Sequence, residues 1–316
     1  MANRAVVVDP DAPGRLVIRE VGEPAPDRGE AIVRVASVSL NRGEVRRSQS
    51  AQAGWRPGWD FAGTVELTAR DGSGPKEGAR VVGMLASGAW AARVAAPTHA
   101  LAELPPSVSF TQASTLPVAG LTALYALRKG GLLLEQAVLI TGATGGVGDF
   151  ALQLARLSGA RVVAHIRRPE QEAQARESGA ETVVIGSDLP AEQPFGPYHL
   201  VVDSVGGSTL GTALSLLREG GTLVSLGTSG GTQTTFDASK FYPIGRATLY
   251  GFILFEELKT EPAGRGLALL SQLVAAGRLK TRISVESDWS EVAAVAKQLT
   301  DRAYPGKAVL HLTSES

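Results

Sequence analysis

The chain contains no cysteine, which excludes disulfides and every thiolate metal site. Its four histidines, His99, His165, His199 and His311, are scattered along the 316 residues. No two of them stand at metal-ligand spacing, so no bound metal is expected. There is no excess of either charge, with Lys+Arg and Asp+Glu both at 31. That balance argues against a nucleic-acid partner, which draws a basic surplus. No apolar run approaches the length of about 18 residues that a membrane helix needs. The start, Met1 to Val8, lacks the basic and apolar regions of a secretory signal. What is present, 44% hydrophobic and 20% charged residues, is ordinary for a soluble globular protein of two domains, each long enough to bury a core. A cytoplasmic protein without membrane or nucleic-acid partners is expected.

The first hundred residues read as β-rich. Short apolar runs, Arg4–Val8, Leu16–Ile18, Ala31–Leu40, Gly63–Leu67, Ala79–Leu85 and Trp90–Ala95, are divided by Pro/Gly turns such as Asp9-Pro10 and Asp71-Gly72-Ser73-Gly74-Pro75. Near Pro117 the texture changes to alternating strands and helices. Strands are predicted at Ala137–Thr141, Arg161–Ile166, Thr182–Ile185, Leu200–Asp203 and Thr222–Leu226. Helices are predicted at Val147–Ser158, from Pro169 to Ser178, and at Thr209–Leu217. Such alternation predicts a parallel sheet covered on both faces, the doubly wound α/β class. A helix at Arg265–Ala276, a strand at Thr281–Val285, a helix at Ser290–Leu299 and a strand at Lys307–Leu312 complete the reading.

Between the first strand of the middle region and its helix lies Thr141-Gly142-Ala143-Thr144-Gly145-Gly146-Val147-Gly148. Glycines at such a turn let the backbone bend sharply and approach a pyrophosphate, to which the helix start presents free N–H groups. Ala143 stands where the usual fingerprint has its first glycine, leaving Gly145, Gly146 and Gly148 as the core. Thr144, Gly145, Gly146 and Val147 are therefore the candidate pyrophosphate contacts. The second strand ends His165-Ile166-Arg167-Arg168, with no acid before Glu170. An acid there would bind a ribose 2′-hydroxyl and repel a 2′-phosphate, whereas arginine forks match phosphate. Arg167 and Arg168 thus point to NADPH; the alternative is a pair of solvated loop arginines.

These segments resemble the zinc-independent medium-chain dehydrogenase/reductase superfamily in its quinone oxidoreductase (zeta-crystallin-like) branch. The resemblance is carried by Pro57-Gly58-Trp59-Asp60-Phe61-Ala62-Gly63-Thr64-Val65, Leu116 to Leu124, Val201-Val202-Asp203-Ser204-Val205-Gly206-Gly207, Gly220 to Val224 and Gly306-Lys307-Ala308-Val309-Leu310. It implies a Rossmann domain over residues 119–255, inserted into a GroES-like catalytic domain of residues 1–118 and 256–316. It also implies hydride transfer from NADPH to a quinone or an α,β-unsaturated carbonyl acceptor, the enoyl-reductase role included, and a homodimer.

By the same resemblance Asn41 lies beside the nicotinamide ribose or the acceptor carbonyl, or else is only a turn residue of Leu40-Asn41-Arg42-Gly43. Asp60 serves the structure of the site or steers a proton. Thr122 approaches the nicotinamide. Ser204, Val205, Leu226 and Gly227, at strand ends, line the dinucleotide, and Phe252, Ile253 and Leu254 correspond to the segment that pairs with the carboxamide. Lys307 is a cofactor contact or a rim charge. Zinc-using relatives hold their metal with a Cys, a His–Glu pair and a further Cys or acid. Here Asn41 falls near the first position and Trp59-Asp60 replaces the pair. Many relatives have a tyrosine about five residues after the position of Asn41; this chain has Arg46, which could bind an anionic or phenolate-like acceptor and is counted with the catalytic candidates. Two other readings stay open: an alcohol or ketone dehydrogenase, and a nucleotide-binding sensor or structural protein with little catalysis.

Overall fold

The computed structural model describes residues 2–190 and 196–312. The chain forms two compact units, one made of the residues up to Leu121 and those from Leu258 on, the other of Thr122–Glu257.

In the second unit six strands form one parallel sheet. Their spatial order is Thr182–Ile185, Arg161–Ile166, Ala137–Thr141, Tyr198–Asp203, Leu217–Ser225 and Thr248–Gly251. Counted along the chain this is the Rossmann order, third-second-first-fourth-fifth-sixth, with its switch point between the first and fourth strands. Ala137–Thr141 is buried at every residue, as a strand covered on both faces must be. The helix Gly146–Leu157 buries Phe150, Ala151, Leu154 and Ala155, pairs four residues apart that form one face. Because the strands are parallel, the chain leaves the sheet along one edge after Thr141, Ile166, Asp203, Ser225 and Gly251. Every cofactor-contact candidate between Thr144 and Leu254 follows one of these strand ends.

The first unit is built on a seven-stranded sheet ordered Ile283–Asp288, Lys307–His311, Glu30–Ser39, Asp60–Leu67, Arg80–Met84 and Leu101–Glu103, with Arg93–Pro97 also paired to Glu30–Ser39. Only the pair Ile283–Asp288 and Lys307–His311 is parallel. The long strand Glu30–Ser39 serves three partners, and two register shifts along its pairing with Asp60–Leu67 supply the local bend that this needs. Register sets Ser39 opposite both Asp60 and Val309. A polar end of this sheet is thereby assembled from strands far apart in sequence. Among the described residues no helix is long and apolar enough to cross a membrane.

Several elements differ in extent from the sequence reading. The run Trp90–Ala95 becomes a strand only from Arg93 to Pro97, because Trp90 is turned inward. Its ring is 1% exposed, its backbone N–H donates to Pro57 O at 3.4 Å, and its indole N–H donates to Ser39 O at 3.3 Å. Leu40-Asn41-Arg42-Gly43 is no simple turn. It opens the helix Arg42–Ser48, with Asn41 at the N-cap and Glu44 three residues on, a capping-box spacing. The helix from Pro169 begins as a 3-10 turn and is α-helical only over Glu172–Glu177.

Gly58 shows how tightly the first unit is packed near this polar end. Its φ is +107°, and a Cβ there would stand 2.3 Å from the Trp90 nitrogen. Gly58→Ala is therefore expected to cost about 3 kcal/mol, combining the left-handed backbone and the overpacking. A urea titration that finds its midpoint unshifted would contradict this.

Candidate functional site

In the first unit the sheet register gathers five polar side chains into a dry cluster. Asp60 is fully buried. Its Oδ2 accepts from Ser39 Oγ at 2.7 Å and from Asn41 Nδ2 at 2.7 Å, while its Oδ1 accepts from the Val118 backbone N–H at 3.0 Å. Lys307, 4% exposed, directs its ammonium to three acceptors: Asn41 Oδ1 at 2.6 Å, Leu40 O at 3.0 Å and Asp60 Oδ2 at 3.4 Å. It is thus a buried ion-pair partner and not a rim charge. Asn41 Nδ2 also donates to Glu44 Oε1 at 3.0 Å, and the Asn41 backbone N–H donates to the same oxygen at 2.7 Å. Both amide hydrogens of Asn41 are therefore spent, and what remains to it is accepting capacity at Oδ1.

Glu44 was not among the sequence candidates, although Asn41-x-x-Glu44 is a legible capping signal. It is fully buried, and its Oε2 has no partner. The cluster contains two carboxyl groups and one ammonium. With Lys307 set against Asp60, a charged Glu44 would be an uncompensated anion in a dry site. Burial, and then the nearby Asp60 charge, push the Glu44 pKa well above the usual carboxylate range; Lys307 and the Asn41 hydrogen bonds oppose this only in part. Burial and the Asp60 charge accordingly favour the protonated form of Glu44. Arg46 lies outside the cluster, exposed on the last turn of its helix, and Arg47 beside it holds its guanidinium over Trp55, 5.0 Å from the ring centre.

In the second unit the glycine turn is held by backbone geometry. Gly142, rather than the three glycines singled out from the sequence, is the residue with positive φ (+60°), and a Cβ on it would stand 2.4 Å from Ser204 Oγ. A Cβ on Gly148 would stand 2.4 Å from Gly142 O, so the helix can approach the strand only without a side chain there. Gly145 is the N-cap of the helix Gly146–Leu157 and no side chain caps it. Gly145 is exposed, and Gly146 and Val147 are half-buried. The first N–H groups of a twelve-residue helix are thus left for an anion, helped by the dipole.

Thr144 Oγ1 accepts from Gln171 Nε2 at 2.8 Å, and Gln171 Oε1 accepts from the backbone N–H groups of Arg167 and Arg168 at 3.3 and 3.2 Å. Gln171, another residue the sequence reading passed over, is a strut that fixes the end of the second strand against the glycine turn. Arg167 and Arg168 themselves are exposed.

At the switch point Asp203, fully buried, accepts from Thr141 Oγ1 at 2.6 Å and from the N–H groups of Gly206 and Val205 at 2.9 and 3.2 Å. Burial raises its pKa against these hydrogen bonds. Ser204 Oγ donates to Thr141 O at 3.1 Å, and Val205 O accepts from Gly230 N–H at 2.7 Å. Leu226 N–H donates to Asp203 O at 2.9 Å, and Gly227 follows it, half-buried. Phe252 is buried with its N–H on Ser225 O at 2.9 Å, Ile253 is 62% exposed, and Leu254 is buried at the start of the helix Leu254–Glu257. Thr122, on the helix Leu121–Arg128, is buried. The candidates of this unit other than Thr122 therefore follow the strand ends along one sheet edge, while Asn41, Asp60 and Lys307 meet in the other unit.

Comparison with known proteins agrees with both architectures. Residues 27–106 match the alcohol dehydrogenase GroES-like domain, and residues 146–270 match the zinc-binding dehydrogenase family. The quinone-oxidoreductase QR1, chloroplastic, of Triphysaria versicolor is 37% identical over 161 residues, which is 46% of this chain and 49% of that protein; the match thus spans about half of that relative's length. The quinone oxidoreductase-like protein 2 of Bos taurus is 28% identical over 94% of this chain and 89% of its own length. The structure of the Escherichia coli quinone oxidoreductase, solved as a complex with NADPH, superposes with a TM-score of 0.84 at 23% identity, covering 98% of this chain and all of that one. The zinc in the second family's description does not fit the cluster in the first unit. The chain has no thiolate to offer, and the Lys307 ammonium already stands against Asn41 and Asp60. Among the described residues no group of three or more His, Asp and Glu is arranged to hold a metal.

The state of Glu44 has a measurable sign. Its pKa is raised on folding, so between the ordinary carboxylate value and the raised one the native state holds a proton that the unfolded chain has released. Stability then falls as pH rises through that window, with a limiting slope of about 1.4 kcal/mol per pH unit. Glu44→Gln keeps the shape of the neutral acid and should remove this contribution. Urea midpoints measured from pH 5 to 8 should fall less steeply for the variant than for the parent; parallel curves would show that Glu44 is ionised.

Proposed function

We propose that this chain, which belongs to the medium-chain dehydrogenase/reductase superfamily in its quinone oxidoreductase branch, is an NADPH-dependent, zinc-free reductase whose acceptor is a quinone or an α,β-unsaturated carbonyl compound. The observation that carries the cofactor is the pairing of an uncapped helix start at Gly145–Val147 with a second strand that ends in Arg167-Arg168 and no acid. An anion is favoured at the first and a 2′-phosphate at the second.

NADPH, when bound, supplies the hydride. The chain's own part is binding, orientation and exclusion of water. On this reading Thr144, Gly145, Gly146 and Val147 hold the pyrophosphate. The backbone at Ser204, Val205, Leu226 and Gly227 borders the dinucleotide, Phe252–Leu254 supply main-chain groups for the carboxamide, and Thr122 approaches the nicotinamide. Asn41 has its amide hydrogens committed to Asp60 and Glu44, so it accepts from a hydroxyl, such as that of a ribose, in preference to donating to a carbonyl. Lys307 and Asp60 are positioning residues for that oxygen. All three Lys307 hydrogens meet acceptors inside the cluster, and the proton that completes the reduction is assigned to solvent. Arg46, exposed, is the catalytic candidate closest in sequence to this cluster and favours an acceptor that gains negative charge.

The reading extends to a homodimer along the strand Thr248–Gly251, supported by the exposure of Leu249 and Ile253 (49% and 62%), and to the cytoplasm, which suits a chain without cysteine.

The decisive measurement is the affinity for NADPH against NADH by titration calorimetry. The parent should favour NADPH, and Arg167→Ala with Arg168→Ala should lose that preference by about tenfold for each arginine, the effect of one charge-assisted hydrogen bond of about 1.5 kcal/mol. Equal affinities in the parent would remove the phosphate assignment. Stopped-flow oxidation of the bound NADPH by a panel of quinones and enones then separates a reductase from a nucleotide-binding protein without turnover.

A further inference from the structure

Between Asn41 and Asp60 the chain carries four arginines, Arg42, Arg46, Arg47 and Arg56, and one acid, Glu44. The acid is fully buried, whereas Arg42, Arg46 and Arg47 are exposed. The loop from Leu85 to Ala92 that meets this segment has no acid either. A chain with no net charge has thus gathered positive charge here with no surface carboxylate from either stretch.

Arg56 is the member of this group set apart by its surroundings. It is half-buried. Its Nε is sealed from solvent and has no hydrogen-bond partner, and among the described residues no carboxylate or carbonyl accepts from its guanidinium. Burial draws its pKa down. The backbone around it is fixed. Ser87 Oγ donates to the Arg56 carbonyl, Ala89 N–H donates to Gly58 O at 3.0 Å, and the Trp59 indole donates to Ala86 O at 3.1 Å. A Cβ on Gly88 would stand 3.9 Å from Arg56 Nε, so that loop closes one side of the guanidinium. Trp59 ties this loop to the helix that carries Asn41 at its N-cap: its indole donates to Ala86 O and its ring packs on Gly43, where a Cβ would be 2.6 Å from it, two residues from Asn41.

A guanidinium held partly dry without an internal anion bears a desolvation cost that an external anion offsets. Its planar fork is suited to a carboxylate or a phosphate. We propose that Arg56 is the anion-recognition residue of the acceptor site, so that the acceptor carries a carboxylate or phosphate group in addition to its reducible double bond. Arg42 and Arg46 raise the local potential that draws such a molecule in. This inference rests on the reductase reading above and narrows its acceptor class.

The test compares two matched pairs of acceptors: a carboxybenzoquinone with its methyl ester, and crotonyl-coenzyme A with crotonyl-N-acetylcysteamine. For each pair the ratio of kcat/KM, charged over neutral, is measured with NADPH for the parent, Arg56→Gln and Arg56→Lys. Binding of the same four compounds is followed by calorimetry without NADPH. The parent should favour the charged member of at least one pair by about tenfold or more, the worth of one charge-assisted contact. Arg56→Gln should bring that ratio to about one, and Arg56→Lys, which keeps the charge and loses the fork, should retain part of it. The responsive pair tells a carboxylate source from a phosphate source. A ratio that is the same in the parent and Arg56→Gln for both pairs overturns the proposal, whatever the turnover. Arginine-dependent binding of the charged members without any NADPH oxidation upholds the anion site and rejects the reductase reading.

Discussion

The ammonium of Lys307, buried among Asn41, Leu40 and Asp60, is the constraint around which the polar end of the first unit is arranged. A cation in a dry interior is tolerated only with an anion and enough acceptors, and here two strand ends and a helix cap supply them. Asp60 neutralises it, the Leu40 carbonyl and Asn41 Oδ1 complete its hydrogen bonds, and Ser39 and the Val118 N–H satisfy the remaining carboxylate positions. Removing any one of these would leave a buried group unpaired, which costs more than the pair itself contributes. The cluster fixes the rotamer of Asn41 and decides which of its atoms can face a ligand. It also leaves Glu44 without a second cation, so that burial and the Asp60 charge raise its pKa.

The second unit solves a different problem with fewer charges. An uncapped helix start, two glycines that no side chain could replace and a buried aspartate at the switch point fix a main-chain surface. Gln171 transmits the position of that surface to the end of the second strand. On the proposed reading, affinity for a dinucleotide would depend on backbone placement, and the choice between phosphate and hydroxyl on the exposed Arg167 and Arg168.

Much of this was legible in the sequence. Continuous apolar runs such as Ala137–Thr141 and Arg161–Ile166 emerge as strands with the same ends, because a strand covered on both faces has to be apolar throughout. Strand–helix alternation announced the parallel sheet, whose strand order is seen only in the structure. Less legible was anything set by long-range contact. Trp90 reads as a strand residue by composition, and its inward turn comes from Gly58 and Ser39. Lys307 reads as a cofactor contact or a rim charge, and only the pairing of its strand with Glu30–Ser39 brings it to Asp60. The prominent glycines drew attention away from Gly142, whose φ is positive and where a Cβ would meet Ser204, just past a strand sixty residues later. Gln171 acts through Thr144 and the backbone of Arg167 and Arg168, and Glu44 through Asn41 alone; neither residue type announces such partners. The Asn41-x-x-Glu44 cap was the one signal in this group that the sequence carried and the reading passed over.

The route of the chain through the first unit also orders events during synthesis. The strand Glu30–Ser39 and Asp60 leave the ribosome early, whereas Lys307 follows only after the whole of Thr122–Glu257. The intervening unit draws all its strands from one continuous stretch and can close on its own, as domains do when they fold during translation. Until the last strand arrives, Asp60 has no counter-ion and Glu30–Ser39 lacks one neighbour. The edge that Lys307–His311 will cover stays open to other chains for the time it takes to make some two hundred and fifty residues, a dozen seconds or more at about 5–20 residues per second. The ion pair that completes the polar cluster is thus also the last lock to engage, and a nascent chain stalled short of it would hold a finished parallel-sheet unit and an unfinished first sheet.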